Sequence, residues 1–370
     1  MKRQCIIAKV SPRRNSSSLL LLCLIALYWL TRLINIDSLA LFLDEAYHLW
    51  WARDVWAGHP FTAAVSGRLL NVLWMSAFYP FNATIWIARI SVVLLTTIGF
   101  ACILGTLRHH FSLSAAIVGG LLYIFMPLTF FFERLALADS LSAPFVALTI
   151  WIVSVKLQKP LSLRQQILWS ALGGLALTGA VLSKISNLIF LCIPAMALLT
   201  LFPLKEWRKG SAVTISMYLA CALSLLPTAL ILRFVFGSSL GLNLVTLKTG
   251  GTITDLPTQM IASSQSVAYF ASIYLPFPMW LIVLSGIILA LWKGKRIAWF
   301  MASVLAITLG VLVIQTKSAY LASRFLSAYA PLIVILVGGG LTAITLRWRR
   351  PLLIVMTSIM LSSGVTFAWQ

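Results

Sequence analysis

The sequence predicts an all-α, polytopic membrane protein of about 11 transmembrane helices, organised as a single domain over residues 1–370. Of its 370 residues, 61% are hydrophobic and only 10% are charged, and the mean hydropathy is +0.98. Soluble globular domains do not reach these values. Apolar runs of roughly 20 residues, the length needed to cross a bilayer, recur from Ser18 to the C-terminus. The polar breaks between them are short, so we expect no soluble C-terminal domain.

Each predicted span is bounded by charged residues or by Gly and Pro. We expect the spans at about 18–36, 85–107, 113–131, 139–156, 166–184, 186–203, 211–235, 271–292, 297–314, 324–346 and 351–368. Residues 37–84 form the predicted first outer loop. At its end, apolar residues recur at helical spacing from Gly67 to Tyr79, but Arg68 and Asn71 interrupt them. We therefore predict an interfacial helix in this stretch and no transmembrane span.

The distribution of charge predicts the orientation of the chain. With a cytoplasmic N-terminus, 18 of the 28 basic residues fall in cytoplasmic segments, as the positive-inside tendency requires. The net charge of +20 therefore reflects topology, and nucleic acid is not an expected partner. No small-residue cleavage site follows the first apolar run, which favours a retained signal anchor over a cleaved signal peptide. We expect a multi-pass protein of the inner or plasma membrane.

The carboxylates show the opposite distribution to the basic residues. Seven of the eight lie on the predicted outer side, and only Glu206 lies inside. Acidic residues contribute little to topology, so their position needs another explanation.

The first candidate group is Asp44-Glu45, directly after an apolar stretch in the first outer loop. The aromatic residues that follow at helical spacing predict an amphipathic helix with its acidic start facing a cavity. A solvated helix start is the alternative, since Asp and Glu favour the first turn of any helix.

Further polar groups interrupt the apolar sequence at other predicted outer ends. Glu133 and Asp139 lie in a short link between two spans, where Asp139 could also cap the helix that follows. Lys184 lies at the predicted outer end of one span and could instead extend to the membrane interface. Tyr320 and Arg324 lie near the start of a late span. Carboxylates and cations at one interface suit group transfer from a lipid-linked phosphate donor, with a carboxylate for the acceptor hydroxyl.

These residues, taken in order, resemble the GT-C glycosyltransferases, most closely the branch of protein O-mannosyltransferases and lipid A aminoarabinose transferase (glycosyltransferase family 39-like). The resemblance spans roughly Leu19 to Leu346. The motifs that carry it are Asp44-Glu45-Ala46-Tyr47, Ala52-Arg53 to Gly58-His59-Pro60, Arg134-Leu135-Ala136-Leu137-Ala138-Asp139, Leu182-Ser183-Lys184 and Ser323-Arg324-Phe325. The sequence departs from the family at Phe61, where a second proline is common, and at Phe325, where tyrosine is common.

The resemblance implies a GT-C fold and transfer of a sugar from a polyprenyl-phosphate donor on the outer face, with inversion. The acceptor would be a hydroxyl of a lipid, glycan or protein. Asp44 matches the proposed base, Glu45 its neighbour, and Asp139 the acidic residue of the second outer loop. The expected catalytic residues are thus Asp44, Glu45 and Asp139, and the expected substrate-binding residues are Lys184, Arg324, Arg53, His59, Glu133 and Tyr320.

A divalent metal is a further expectation, with Glu45 and Asp139 as oxygen ligands. For His48 and His59, two interpretations stay open: polar residues at the membrane interface, or ligands of the metal. Two other functions remain open at this point: a transporter or flippase of a lipid-linked or anionic solute, and a catalytically silent relative. Transporters usually place ionisable groups near the bilayer midplane, whereas these lie at predicted helix ends.

Overall fold

A computed structural model describes residues 12–61, 67–78, 85–236, 277–315 and 323–342, with isolated residues between 261 and 269 and at 358 and 362. Every regular element in these ranges is helical, which confirms the predicted all-α membrane fold. The α-helices are α1 (Pro12–Leu33), α2 (Leu43–Trp56), α3 (Leu69–Ser76), α4 (Ile85–His110), α5 (Leu113–Phe125), α6 (Pro127–Phe132), α7 (Ala138–Trp151), α8 (Leu163–Ser183), α9 (Cys192–Thr200), α10 (Trp207–Phe236), α11 (Phe277–Trp292), α12 (Arg296–Gln315) and α13 (Ala330–Leu341).

Six helical segments in the described ranges are long and apolar enough to cross a membrane, and four shorter helical segments are also apolar. The total of 11 spans stays a prediction, because the last expected span, 351–368, lies outside the described residues apart from two isolated positions. The predicted interfacial stretch forms α3, whose eight residues extend only about 12 Å and cannot span a bilayer.

Two predicted spans are interrupted helices in the structure. The span expected at 113–131 divides into α5 and α6, because Pro127 begins α6 and has no backbone N–H with which to continue α5. The span expected at 186–203 begins with a 3₁₀ turn, Ile185–Leu191, before α9 starts. A second 3₁₀ turn, Ser323–Tyr329, precedes α13 in the same way. The first 3₁₀ turn directly follows Lys184, and the second contains Arg324. Both are charged residues that the sequence nominated.

Different loops and helix ends meet at the two opposite ends of the bundle. At one end, the Lys295 ammonium donates to the His110 carbonyl oxygen at 2.7 Å, and the His110 ring contacts the Ser154 carbonyl oxygen at 3.0 Å. At the other end, the Arg134 guanidinium donates to the Ile34 and Asn35 carbonyl oxygens at 2.6 and 2.8 Å. We call this second end, where α1 and α8 end and α7 begins, the site end.

Close packing of α11 against α13 depends on glycine. A Cβ at Gly340 would overlap the backbone carbonyl oxygen of Gly286 and lie 2.8 Å from the Ala290 nitrogen. Backbone atoms cannot move aside as a flexible side chain can, so the two helices would have to separate.

We expect Gly340→Ala to lower the free energy of unfolding by about 1–3 kcal/mol, since added volume in a close-packed contact forces backbone shifts. Gly310→Ala is the matched control, because a Cβ there would meet no atom within 4 Å. Thermal unfolding in detergent, followed by intrinsic tryptophan fluorescence, measures both. Equal midpoints for the two variants would contradict the packing argument.

Candidate active site

Four charged side chains from distant parts of the chain meet at the site end: Asp44, Asp139, Lys184 and Arg324. Arg324 forms an ion pair with Asp44, and its Nε lies 3.5 Å from an Asp139 oxygen. Lys184 forms an ion pair with the other Asp139 oxygen. We call this group the four-charge cluster. It brings together four residues that the sequence nominated separately.

Helix ends position each member of the cluster. Asp44 and Asp139 lie in the first turns of α2 and α7, where the helix dipole favours a carboxylate. Lys184 is the residue at which α8 ends, with an extended backbone of φ −160° and ψ 120°. Just beyond it, the Asn187 side chain donates to Ser142 Oγ at 2.6 Å and to the Ala180 carbonyl oxygen at 3.1 Å. These hydrogen bonds tie the end of α8 to α7.

Aromatic rings lie against the cations of the cluster. The Lys184 ammonium lies 3.4 Å from the centroid of the Phe325 ring. The Arg324 guanidinium carbon lies 5.7 Å from the same ring and 5.9 Å from that of Phe42. Attraction between a cation and a ring face keeps both cations at this position without neutralising them. Phe325, at which the sequence departs from the family, therefore provides a surface for cations and no hydroxyl.

Exposure separates the two adjacent carboxylates of α2. The Asp44 side chain is 21% exposed, whereas that of Glu45 is fully buried. Arg89 Nε and Nη2 donate to the two Glu45 oxygens at 2.9 and 2.7 Å. The backbone amides of Ala136 and Phe42 donate to the same carboxylate at 2.7 and 3.0 Å.

The Glu45 carboxylate therefore has four donors and no free position for a substrate or a cation. This geometry does not support a catalytic or metal-binding role for Glu45, and that assignment stays a prediction. Its contacts join α2 to α4 and to the segment before Asp139.

Glu133 lies in a second buried network. Arg32 Nε donates to it at 3.0 Å, and the hydroxyls of Tyr28 and Tyr123 donate at 3.1 and 2.5 Å. Its side chain is 2% exposed. Its oxygens hold α1 against α5 and the α6–α7 link, so the geometry does not support substrate binding by Glu133, and that assignment stays a prediction.

Of the three other nominated residues, two lie at exposed positions and one lies outside the described residues. Arg53 is exposed and lies nine residues after Asp44, which places it on the opposite face of α2, about 13 Å along the helix. His59 is exposed beyond the end of α2. Tyr320 lies outside the described residues.

The structure adds Arg68, which was not nominated from the sequence, and pairs it with His48, which was considered only as an interfacial residue or a metal ligand. Arg68 immediately precedes α3, and its Nη1 lies 3.1 Å from His48 Nε2. The Ile185 amide donates to the Gly67 carbonyl oxygen at 2.9 Å. This hydrogen bond brings the backbone at Arg68, the residue after Gly67, close to the backbone at Lys184, the residue before Ile185. The position of Arg68 inside a short apolar stretch is visible in the sequence. There it served only as evidence that the stretch does not span the membrane.

Burial shifts the pKa of Lys184 and of His48. It lowers the pKa of the Lys184 ammonium, and the Asp139 carboxylate opposes this shift. It also lowers the pKa of His48 to about 4, and the hydrogen bond to the Ala136 carbonyl oxygen opposes this second shift. His48 is therefore neutral at physiological pH.

We expect the depressed pKa of His48 to make stability depend on pH between about 6.5 and 4. In this window the unfolded chain binds a proton at His48 and the folded chain does not, so stability falls as the pH falls. The complete loss attributable to His48 is ~3 kcal/mol. Thermal unfolding of wild type and His48→Gln at several pH values in this window measures it. Parallel pH profiles for the two proteins would contradict the prediction.

The predicted divalent ion fits this arrangement poorly. In the described part of the chain, no three His, Cys, Asp or Glu side chains converge as metal ligands. Asp44 and Asp139 both contact Arg324, so a metal bound by them would have to displace the guanidinium. The metal stays a prediction, and the mechanism below uses none.

Comparisons with known proteins agree with the predicted resemblance. Residues 71–234 match the family described as dolichyl-phosphate-mannose-protein mannosyltransferase. No curated protein matches the sequence significantly.

Several solved structures share the fold, among them an ArnT and an AglB. ArnT from Cupriavidus metallidurans bound to undecaprenyl phosphate superposes with a TM-score of 0.60 at 15% identity, covering 94% of this chain and 64% of that one. Archaeal oligosaccharyltransferase AglB from Archaeoglobus fulgidus, in complex with an inhibitory peptide and a dolichol-phosphate, superposes with a TM-score of 0.69 at 13% identity, covering 96% of this chain and 56% of that one.

This chain thus spans less than two thirds of the length of either structure. The family match and the shared fold together confirm the resemblance to the GT-C glycosyltransferases.

Proposed function

We propose that this chain, with the fold of the GT-C glycosyltransferases, transfers a sugar from a polyprenyl-phosphate donor to an acceptor hydroxyl at the outer face of the inner or plasma membrane, with inversion. The observation that carries the proposal is the four-charge cluster, in which a partly exposed carboxylate, Asp44, contacts a cation, Arg324. Undecaprenyl phosphate in ArnT and dolichol-phosphate in AglB support a lipid phosphate as the ligand.

The cations of the site suit a phosphate leaving group. Lys184 and Arg324 are 11% and 16% exposed, and Arg68 lies beside Lys184. As the bond between the anomeric carbon and the phosphate oxygen breaks, its electron pair moves to the phosphate and negative charge develops there. Fixed cations in a partly buried site stabilise this charge more than water does.

Asp44 is the proposed general base. The acceptor oxygen attacks the anomeric carbon from the side opposite the phosphate, and Asp44 takes the hydroxyl proton. The products are the glycosylated acceptor, a polyprenyl phosphate and a protonated Asp44, which returns its proton to water. Of the two adjacent acids, only Asp44 has the exposure that this role requires.

The ion pair between Asp44 and Arg324 links donor binding to this base. In the structure, Arg324 holds the Asp44 carboxylate. A donor phosphate that binds Arg324 competes with the carboxylate and frees it to accept a proton. Donor binding therefore precedes activation of the acceptor in this mechanism.

Sugar transfer in proteoliposomes tests the proposal. Purified protein is incubated with radiolabelled undecaprenyl-phosphate sugars and envelope extract, and label in extract products is counted. We expect Arg324→Gln to lose about 10²–10³-fold of the rate, the usual cost of removing one group that stabilises developing negative charge. Arg53→Gln, on the opposite face of α2, is the control and is expected to retain the rate. Equal transfer by wild type and Arg324→Gln would overturn the proposal.

A second measurement on the same proteoliposomes, the movement of labelled lipid-linked sugar across the bilayer, separates the two alternatives. A transporter would move the lipid-linked sugar across the bilayer without transferring label, and a catalytically silent relative would do neither. The charged residues of the cluster lie at helix ends, so the structure gives no specific support to a transport site at the midplane.

A further inference from the structure

We propose that His48 is a positioning residue that holds the Arg68 guanidinium in place for an incoming lipid phosphate without cancelling its charge. The inference rests on the proposed function and deepens it, because it assigns a role to two residues outside the four-charge cluster. The His48 imidazole is buried, and each of its two ring nitrogens has a partner.

Those partners fix the protonation of His48. Nδ1 lies 2.8 Å from the Ala136 carbonyl oxygen, which can only accept, so Nδ1 carries a hydrogen. Nε2 lies 3.1 Å from Arg68 Nη1, which can only donate, so Nε2 is an unprotonated acceptor. A neutral imidazole with its hydrogen on Nδ1 satisfies both contacts. An imidazolium would lose the contact with Arg68.

The electrostatic surroundings of Arg68 differ from those of the other two cations. Lys184 and Arg324 each contact a carboxylate. Among the described residues, no carboxylate lies within 4.0 Å of Arg68; its guanidinium carbon lies 5.9 Å from the centroid of the Trp51 ring. His48 thus orients the guanidinium through a neutral acceptor. The positive charge of Arg68 stays available to an anion.

The groups that face His48 also keep it neutral. Arg68 faces it from the start of α3, and its charge opposes protonation. Glu45 on α2 and Asp139 on α7 favour protonation, but burial outweighs both. The imidazole itself is 1% exposed. A neutral acceptor in a buried position can therefore hold Arg68 across the physiological pH range.

Two amide substitutions separate the contacts of the two ring nitrogens. A Gln side chain places an amide oxygen near the position of Nε2, whereas the shorter Asn side chain reaches only the position of Nδ1. His48→Asn should therefore lose the contact with Arg68, and His48→Gln should recover it. The hydrogen bond involves a charged group, so we expect His48→Asn to weaken binding of undecaprenyl phosphate in nanodiscs by about tenfold or more, and His48→Gln by clearly less.

A double-mutant cycle distinguishes positioning from general stability. In an Arg68→Ala background, His48→Asn is expected to cause no further loss of undecaprenyl phosphate binding. If His48 served the fold alone, its substitution would weaken binding equally in both backgrounds, and that result would overturn the inference. Equal binding by wild type and His48→Asn would also overturn it, and would leave the proposed function standing. Absence of binding by wild type would overturn both.

The tautomer provides a readout that needs no ligand. Nitrogen-15 NMR distinguishes an imidazole protonated on Nδ1 from one protonated on Nε2, and only four histidines contribute signals. We expect the His48 signal, assigned by its loss in His48→Gln, to show the Nδ1–H form at pH 7. An Nε2–H form or an imidazolium would overturn the inference.

Discussion

Asp44→Asn is expected to lower the turnover rate of sugar transfer by about 10²–10⁴-fold, the usual contribution of a general base. The amide has nearly the shape of the carboxylate but cannot take the acceptor proton. It also cannot form an ion pair with Arg324, which holds the wild-type carboxylate. Binding of the donor phosphate should therefore be retained or tightened while turnover is lost.

Single-turnover transfer and undecaprenyl phosphate binding, measured on the same preparation, separate these two effects. Asp54→Asn is the matched control, since it makes the same chemical change on the same helix, ten residues from Asp44 and on a different face. It is expected to leave both quantities unchanged. Turnover by Asp44→Asn at the wild-type rate would exclude Asp44 as the base.

Glu45→Ala is expected to have the largest effect on stability, lowering the free energy of unfolding by about 3–5 kcal/mol. Removing this carboxylate leaves Arg89 as a charged, fully buried guanidinium without its counter-ion. It also removes the acceptor of the Ala136 and Phe42 amides. A loss of this size should reduce the amount of folded protein recovered from membranes.

Detergent-extracted yield and thermal unfolding measure this prediction. Glu206→Ala is the control, because Glu206 forms a largely exposed pair with Lys209 at 3.6 Å. Pairs of this kind contribute about 0–1 kcal/mol. Similar unfolding midpoints for Glu45→Ala and Glu206→Ala would show that the buried pair does not hold the site end together.

The sequence predicted most of the helical architecture, because a span in lipid requires a long apolar run that is visible without knowledge of neighbours. It did not predict that α5 and α6 are separate helices, although Pro127 was visible. Proline is tolerated in membrane helices when neighbouring groups satisfy the freed backbone, as Pro144 within α7 shows. Only tertiary packing decides between the two outcomes.

The members of the four-charge cluster could be nominated from sequence because each lies at a predicted helix end on one side of the membrane. Which of two adjacent acids faces the site could not be predicted. Asp44 and Glu45 differ by about 100° around α2, and the direction of the core depends on how α2 packs. The partner of Glu133 is Arg32, 101 residues away, and nothing local indicates that pairing.

The adjacent acids of α2 also acquire their partners at very different times during synthesis. Arg89, the partner of Glu45, is only 44 residues further along the chain, so α2 can pack against α4 before most of the chain has been synthesised. Arg324, the partner of Asp44, is 280 residues further along the chain and is synthesised much later. A chain interrupted before residue 324 would therefore contain a firmly placed aspartate and half of a phosphate site. Completion of the site thus reports that nearly the whole described chain has been made and inserted.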